Sequence, residues 1–228
     1  MLRSALAPGE TIPRHIHDEA YAAVVLDGGY EEAGENGRWR VQAGDVLLHG
    51  RFSGHWNHRP GKALVLNLPL AGGAAALPAM ARADDPDLLA RLAERDPLEA
   101  AAVLLETLRP GPAGLADAPD WLAQALSGDA PPAVEAWARQ QGVTRETAFR
   151  WFRDAYGVGP ARFRVEARAR RAWRSIVDGA APLAEIAAEA GFADQAHMSR
   201  DVKSLTGRAP GAWRAQVPVQ HSFKTRAA

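Results

Sequence analysis

The C-terminal part of this chain repeats itself, and the repeat restricts the folds it can adopt. Residues 133–143 and 182–192 have similar sequences, and in each segment a glycine is followed by one apolar residue. After each segment, a second helical pattern leads to the same Gly-x-x-Pro spacing, at 157–160 and at 207–210. An internal duplication of this kind indicates two copies of one supersecondary unit.

Each copy has the residues that a helix-turn-helix needs. The motif requires a small residue where its helices touch, a glycine at the sharp turn, and a capped, polar second helix. The first copy offers Ala138, Gly142 and the N-cap Thr144, and the second offers Ala187, Gly191 and the N-cap Asp194. Two such units in one chain can present two second helices to successive faces of a major groove.

A single long helix is predicted between the copies, over residues 160–178. Its inner face is predicted to carry Phe163, Ala167, Trp173 and Ile176. Its outer face is predicted to carry six arginines: Arg162, Arg164, Arg168, Arg170, Arg171 and Arg174. We expect phosphate contacts from Arg153, Arg162, Arg168 and Lys203, with a solvated surface position as the alternative for each.

The charge of the chain is divided unevenly. Residues 131–228 contain 16 basic and 9 acidic side chains, whereas residues 1–130 contain 11 and 18. A basic C-terminal part indicates a polyanionic partner, although the formal net charge of the whole chain is zero.

The second copy contains the most specific string of the chain. Residues 186–200 read IAAEAGFADQAHMSR and are followed by TGRAP at 206–210. This string resembles the signature of the AraC/XylS family of bacterial transcription regulators, and the resemblance covers residues 130–216. It implies a tandem helix-turn-helix domain that binds double-stranded promoter DNA, with RNA polymerase as a partner in activation.

The resemblance also implies which side chains contact base edges. They are Arg145, Glu146, Phe149 and Arg150 in the first unit, and Gln195, Ala196, His197 and Arg200 in the second. Arginine pairs bidentately with guanine and glutamine with adenine, so Arg150, Gln195 and Arg200 are the strongest candidates. Glu146 departs from the family's usual neutral or basic residue, and its carboxylate either accepts from a cytosine amino group or repels phosphate.

The N-terminal part has the pattern of short strands. Apolar runs at 21–26, 38–41, 46–48 and 63–68 are separated by glycine-bearing turns, the first of them at 27–29. Several closely spaced strands predict a small barrel or sandwich.

Three histidines in this region have a recognisable spacing. Gly9 precedes His15-Ile16-His17, and Gly44 precedes His55, a pattern that resembles the two motifs of the cupin barrel. The resemblance implies that His15, His17 and His55 hold one divalent transition metal, Zn, Fe, Ni or Co. Tyr21 stands where metal-binding cupins have a carboxylate, and Glu19, His49 and His58 lie nearby but off the motif.

Two alternatives to a metal remain open for these histidines. They can line a small-molecule pocket together with Tyr21 and Trp56, or they can be satisfied polar groups inside the barrel.

A helical connector is predicted between the two regions. Asp85-Pro86 and Asp96-Pro97 each place a capping carboxylate before a proline, and leucines follow at helical spacing. A third helix is predicted from about Pro119 to Ser127. The connector is expected to be a spacer, a homodimer surface, or both.

Together these observations predict an α+β protein. A cupin-like sensing barrel at 1–72 and a helical connector at 84–127 precede an all-α domain at 130–216, in which a long helix joins two helix-turn-helix units. The absence of cysteine excludes thiolate metal sites and disulfides. No apolar leader is evident, and the uncharged stretch 63–81 is broken by proline and glycine, so we expect a cytoplasmic protein without membrane segments.

The predicted function is sequence-specific transcription regulation, with a barrel that binds an effector, either a small molecule or a metal, or dimerises. The alternative is a metal-dependent cupin enzyme with a helical appendage. We expect no enzyme, because the motif carboxylate is missing and no general acid or base accompanies the histidines.

Overall fold

The computed structural model describes residues 2–58, 61–71 and 77–216 of the chain. The chain divides into two compact units, Met1–Arg164 and Val165–Ala228. The predicted α+β class is confirmed, since an antiparallel sheet is followed by helices that continue to the end of the described residues. In this described part, no helix is both long and apolar enough to cross a bilayer.

The described residues form nine strands, and every pair of them is antiparallel. They are β1 (Arg3–Leu6), β2 (Ile12–Ile16), β3 (Tyr21–Gly34), β4 (Gly37–Gln42), β5 (Asp45–His49), β6 (Gly54–His58), β7 (Ala63–Pro69), β8 (Met80–Arg82) and β9 (Arg109–Pro110). One path through the sheet runs β1-β7-β3-β5-β8-β9, while β2 pairs with β6, and both β6 and β4 pair with β3. This sheet domain is consistent with a cupin-like fold.

Strand β3 is longer than the sequence predicts, and the turn predicted at 27–29 is wrong. Gly28 adopts a left-handed φ of +71°, and the register against β7 shifts between Val25 and Asp27. A β-carbon at this position would overlap the carbonyl oxygen of Lys62. The glycine therefore bends the strand without ending it, so that its first half pairs with β5 and β7 and its second half with β4 and β6.

The connector helices begin where the capping residues predict. They are α1 (Pro86–Ala93), α2 (Pro97–Thr107) and α3 (Ala118–Ser127). The Asp85 side chain accepts a hydrogen bond from the backbone N–H of Leu88, and the Asp96 side chain accepts from Leu98 and Glu99. Buried residues of α1 and α2 pack in one apolar cluster with buried residues of β3, β5 and β7, so these two helices cover a face of the sheet domain.

The remaining helices follow the predicted duplication. They are α4 (Val134–Gln140), α5 (Arg145–Tyr156), α6 (Pro160–Asp178), α7 (Leu183–Glu189), α8 (Gln195–Thr206) and α9 (Pro210–Arg214). Gly142 and Gly191 have φ of +68° and +74° at the two turns. The side chains of Thr144 and Asp194 cap α5 and α8, as predicted.

Helix α6 has the predicted ends, but the prediction is wrong for one residue of its outer face. Phe163, Ala167, Trp173 and Ile176 are buried as expected. Arg170 is also buried, with 3% of its surface exposed. It lies three residues after Ala167 and three before Trp173, a spacing that puts it on the inner face of the helix.

Candidate DNA interface and buried histidine cluster

The predicted contact residues of the first unit share one exposed surface on α5. Arg145, Glu146, Phe149 and Arg150 are all exposed. Phe149 exposes 41% of its surface, which is unusual for a large apolar side chain and leaves its ring available to a partner. The opposite side of α5 is anchored by Phe152 and Tyr156, whose rings lie 5.2 and 5.4 Å from that of Phe163.

The predicted contact residues of the second unit divide into two groups. Gln195, Ala196 and Arg200 are exposed on α8. His197 is partly buried, with 34% of its side chain exposed, and its backbone N–H donates to the capping carboxylate of Asp194 at 2.6 Å. The structure thus presents three of the four side chains freely and holds the fourth in a polar cluster.

Arg168 of α6 organises that polar cluster. Its guanidinium lies 4.2 Å from the centre of the Phe192 ring and donates to Asp201 at 3.1 Å and to the carbonyl of Gly191 at 3.3 Å. It also lies 3.2 Å from Nε2 of His197. The same Nε2 lies 3.5 Å from the carboxylate of Asp201. Arg168, predicted as a phosphate contact, thus supports the second turn and orients His197.

The three motif histidines are brought together in the sheet domain. His15 is paired with His55 across β2 and β6, and His17 follows the end of β2. Their ring centres lie 4.3 to 5.2 Å apart, and one ligand atom from each lies within 4.8 Å of the others. Nδ1 of His15 donates to the carbonyl of Pro13 at 2.9 Å, which leaves Nε2 available as a ligand.

Burial favours the neutral form of two of these imidazoles. Loss of solvation lowers the pKa of His17 and His55, and the neighbouring imidazoles lower both further. The same causes lower the pKa of His49 to about 3. A neutral imidazole is the form that binds a metal ion, so the residues of the predicted triad fit such a ligand.

Two further residues join the cluster, and one of them is not predicted from the sequence. Glu32 and His49 form a second group of possible metal ligands with His55, and all three are buried. The sequence places His49 near the motif, but a strand that ends at residue 26 leaves Glu32 outside the predicted strands. Continuing the two-residue alternation of β3 past Gly28 would have placed Tyr30 and Glu32 on one face.

Tyr21 occupies the centre of this region. Its ring stacks on His49 at 4.5 Å, and its hydroxyl lies 3.4 Å from Nε2 of His55. Burial and the nearby Glu32 raise its pKa, so Tyr21 is a neutral phenol. At the position of the motif carboxylate, the chain therefore has an uncharged group.

A cavity of about 750 Å³ adjoins the histidines. Its polar side is formed by Ser4, His15, His17, Asp18, Glu19, Tyr21, Tyr30, Glu32, His55, Asn57 and Asn67, and its apolar side includes Leu2, Leu6, Ile12, Ile16 and Val65. Its described lining contains no lysine or arginine. This volume and mixed lining suit a small organic molecule.

Trp56 does not line this cavity, in contrast to the pocket alternative of the sequence analysis. Its ring stacks on His58 at 4.4 Å, and a β-carbon on Gly157 would lie 2.6 Å from it. Gly157 ends α5 with a φ of +66°. Along β6, His55 therefore points to the cavity side and Trp56 to the side on which α5 lies.

A second link joins the sheet domain to α5. Arg38 on β4 donates to Asp117 at 2.7 Å and to both carboxylate oxygens of Asp120, at 3.0 and 3.1 Å. Asp120, on α3, also accepts from the Tyr156 hydroxyl at 2.8 Å. Burial alone would raise the pKa of Asp120, but these hydrogen bonds outweigh burial and hold the pKa below its usual value.

A family model matches the C-terminal part of the chain. Residues 137–216 match a protein-family model described as "Helix-turn-helix domain". None of the curated proteins compared with the chain matches it.

Several solved structures are similar to parts of the chain. An AraC-type regulator from Chromobacterium violaceum is 22% identical over 43% of this chain and 90% of its own, with a TM-score of 0.40. The DNA-binding domain of AdpA, in complex with a target DNA, is 25% identical over 44% and 92%, with a TM-score of 0.39. Fatty-acid-bound ToxT from Vibrio cholerae is 11% identical over 94% of both chains, with a TM-score of 0.42.

Proposed function

Because residues 137–216 form a helix-turn-helix domain of the AraC/XylS type, we propose that the chain is a sequence-specific transcription regulator whose sheet domain binds an effector. The observation that carries the DNA-binding part is the family match together with the exposure of equivalent residues on α5 and α8. The proposal keeps the boundaries 1–72, 84–127 and 130–216 for the sensing, connecting and DNA-binding parts. The proposal also includes a homodimer and a contact with RNA polymerase, because the family resemblance implies them.

Base recognition is assigned to the two exposed helix faces. Arg150 and Arg200 occupy equivalent positions in the duplication and can each donate two hydrogen bonds to a guanine. Gln195 can bind an adenine in the same way, and Phe149 can contact a thymine methyl group. Arg145, Glu146, Ala196 and His197 complete the proposed set. Of these, His197 has Nε2 engaged by Arg168 at 3.2 Å, so Nδ1 is the ring nitrogen left for a base.

The effector is assigned to the cavity beside the histidines. Its polar side would orient the molecule, and its apolar side would hold the rest by burial. A metal held by His15, His17 and His55 is the alternative effector in this proposal. Neither ligand changes DNA binding unless it favours one arrangement of the chain over another.

Two contacts support a route from this cavity to the first helix-turn-helix. Trp56, next to His55 on β6, lies against Gly157 at the end of α5. Arg38 and Asp120 hold the Tyr156 hydroxyl one residue earlier on the same helix. A ligand that moves β6 or β4 therefore changes the position of α5, the helix that carries Arg150.

The test uses the full-length chain and a pool of random duplex DNA. The sequence selected from the pool should bind at least about 1,000-fold more tightly than an unrelated duplex. Arg150→Ala should weaken binding to the selected sequence, whereas Arg95→Ala, a surface change in the connector, should leave it unchanged. Selection of no sequence, or equal effects of the two substitutions, would exclude the proposed function.

A further inference from the structure

A second set of ligand atoms lies deeper in the sheet domain than the motif histidines. Glu32 on β3, His49 on β5 and His55 on β6 converge there from three strands, with one ligand atom from each within 4.8 Å of the others. The Glu32 and His49 side chains are 5% and 6% exposed, and Oε1 of Glu32 lies 3.4 Å from Nε2 of His49. Two ligands bound to one tetrahedral zinc, each at about 2.0–2.1 Å, are about 3.3–3.4 Å apart.

These three side chains line a void that is separate from the large cavity. The void has a volume of about 10 Å³. Glu32 and His55 line both spaces, whereas His49 and Ser53 line only the void. A space of this size holds about one water molecule, so it has room for a single ion and none for an organic ligand.

Two buried imidazole nitrogens of this set have no hydrogen-bond partner among the described residues. They are Nδ1 of His55 and Nε2 of His49, and the latter has only the 3.4 Å contact with Oε1 of Glu32. Leaving such a buried nitrogen unpaired costs about 1–3 kcal/mol, which coordination of an ion would offset. Tyr30, two residues before Glu32 on β3, is hydrogen-bonded to the Glu32 carboxylate and so restricts its orientation.

We propose that Glu32, His49 and His55 bind one divalent transition metal ion in this void. Two imidazoles, a carboxylate and an open position suit zinc and its neighbours, and cysteine is absent from the chain. The site differs from the motif triad in two of its three ligands and supplies the carboxylate that the motif lacks at Tyr21. It adds an ion site beside the effector cavity and does not depend on DNA binding.

The experiment is a Co²⁺ titration of the full-length, chelator-treated protein, followed by visible absorption and by elemental analysis after gel filtration. We expect one equivalent of Co²⁺ in the wild-type protein and in the double variant His15→Ala/His17→Ala. Glu32→Gln and His49→Gln should each weaken Co²⁺ binding by about 100-fold or more. Far-UV circular dichroism and DNA binding of each variant show whether it is folded.

The outcomes separate the two sites. Failure of the wild-type protein to retain Co²⁺ overturns the proposal, as does loss of Co²⁺ in the double variant, whatever happens in the other two. If Glu32→Gln and His49→Gln do not fold, X-ray absorption of the Co²⁺-loaded wild-type protein decides the question. Two imidazoles per cobalt are expected, and three would assign the ion to His15, His17 and His55 instead.

Discussion

The Tyr156 hydroxyl donates a 2.8 Å hydrogen bond to Asp120, which joins the second helix of the first helix-turn-helix to the helical connector. The same carboxylate accepts from Arg38 on β4. Burial and the charge of Asp120 raise the pKa of Tyr156, so the phenol keeps its proton and remains the donor. Three residues thus connect a strand of the sheet domain to α5 through polar contacts.

Removing the hydroxyl should destabilise the first unit. We expect Tyr156→Phe to lower the free energy of unfolding by about 1.5–3 kcal/mol, because the lost hydrogen bond is to a charged group. Urea unfolding followed by circular dichroism measures the change. Combined with Arg38→Gln, the effect should not be additive, since both residues share Asp120; additive effects would show that the two contacts are independent.

The two equivalent glycines that end α5 and α8 provide a matched pair of substitutions. Gly157 and Gly207 have φ of +66° and +72°, so alanine should cost each about 1–2 kcal/mol of backbone strain. Only at Gly157 would the new β-carbon meet a described neighbour within 4 Å, the Trp56 ring at 2.6 Å. Gly157→Ala should therefore cost about 1–3 kcal/mol more than Gly207→Ala.

A background without the indole ring tests the origin of that difference. With Trp56→Ala already present, Gly157→Ala should cost about as much as Gly207→Ala does in the wild-type chain. An undiminished penalty would mean that the ring is not its cause. Thermal unfolding of the wild-type protein, the three single variants and the double variant gives the comparison.

The helical signals of the sequence were sufficient because they are local. A capping carboxylate, a turn glycine and the polar face of a helix act within a few residues, and Asp85, Asp96, Thr144 and Asp194 cap the helices as predicted. The length of β3 depends instead on distant strands. Gly28 is compatible with both a turn and a bend. It is a bend because the residues after it pair with β4 and β6 and so continue the strand.

Substitutions on α8 should separate base contacts from phosphate contacts. Arg200→Ala should weaken binding to the selected sequence by about 1–3 kcal/mol and should have little effect on a duplex whose contacted guanine is replaced. Lys203→Ala, on the same helix, should weaken binding to both duplexes equally and reduce the salt dependence. Fluorescence anisotropy at several salt concentrations measures these effects, and a uniform loss from Arg200→Ala would make it a phosphate contact.

The buried Glu32 should make stability fall with pH in the metal-free protein. Burial raises its pKa from 4.5 to about 8, although the hydrogen bond with Tyr30 opposes the shift. The folded state therefore binds more protons than the unfolded state between these values, and the free energy of unfolding falls as pH rises through this range. His17, His49 and His55 act oppositely, and their effect fades as pH rises above 6.5, where the unfolded imidazoles lose their charge.

The difference between the wild-type protein and Glu32→Gln therefore isolates the carboxyl group. In urea unfolding with a chelator present, the stability of the wild-type protein relative to that of Glu32→Gln should decline between pH 6.5 and 8 by at most about 1.4 kcal/mol per pH unit. The same comparison in a His15→Ala background should retain this decline. A relative stability that does not decrease over this interval would show that Glu32 is not held neutral.

The site was only partly predictable for the same reason as the fold. The spacing of His15, His17 and His55 suffices to bring them together, because alternate residues on paired strands share a face. Glu32 is four residues past a glycine that reads as a turn, so its approach to His49 depends on the bend in β3. Likewise, the side of β6 that Trp56 faces depends on which face of that strand α5 covers.

Glu31 and Glu32 are adjacent on β3 and serve opposite faces of it. Glu31 bonds to Arg38 at 3.2 Å on the side of α3, and Glu32 faces His49 and the cavity. Under the proposed effector binding, substitutions on the inner face can therefore alter ligand preference while Glu31 keeps its contact with Arg38 on the outer face. Insertion of one residue between Gly28 and Glu31 would exchange the two carboxylates and remove both contacts at once. A regulator built in this way can change its ligand by replacing side chains along β3, but not by changing the length of the strand.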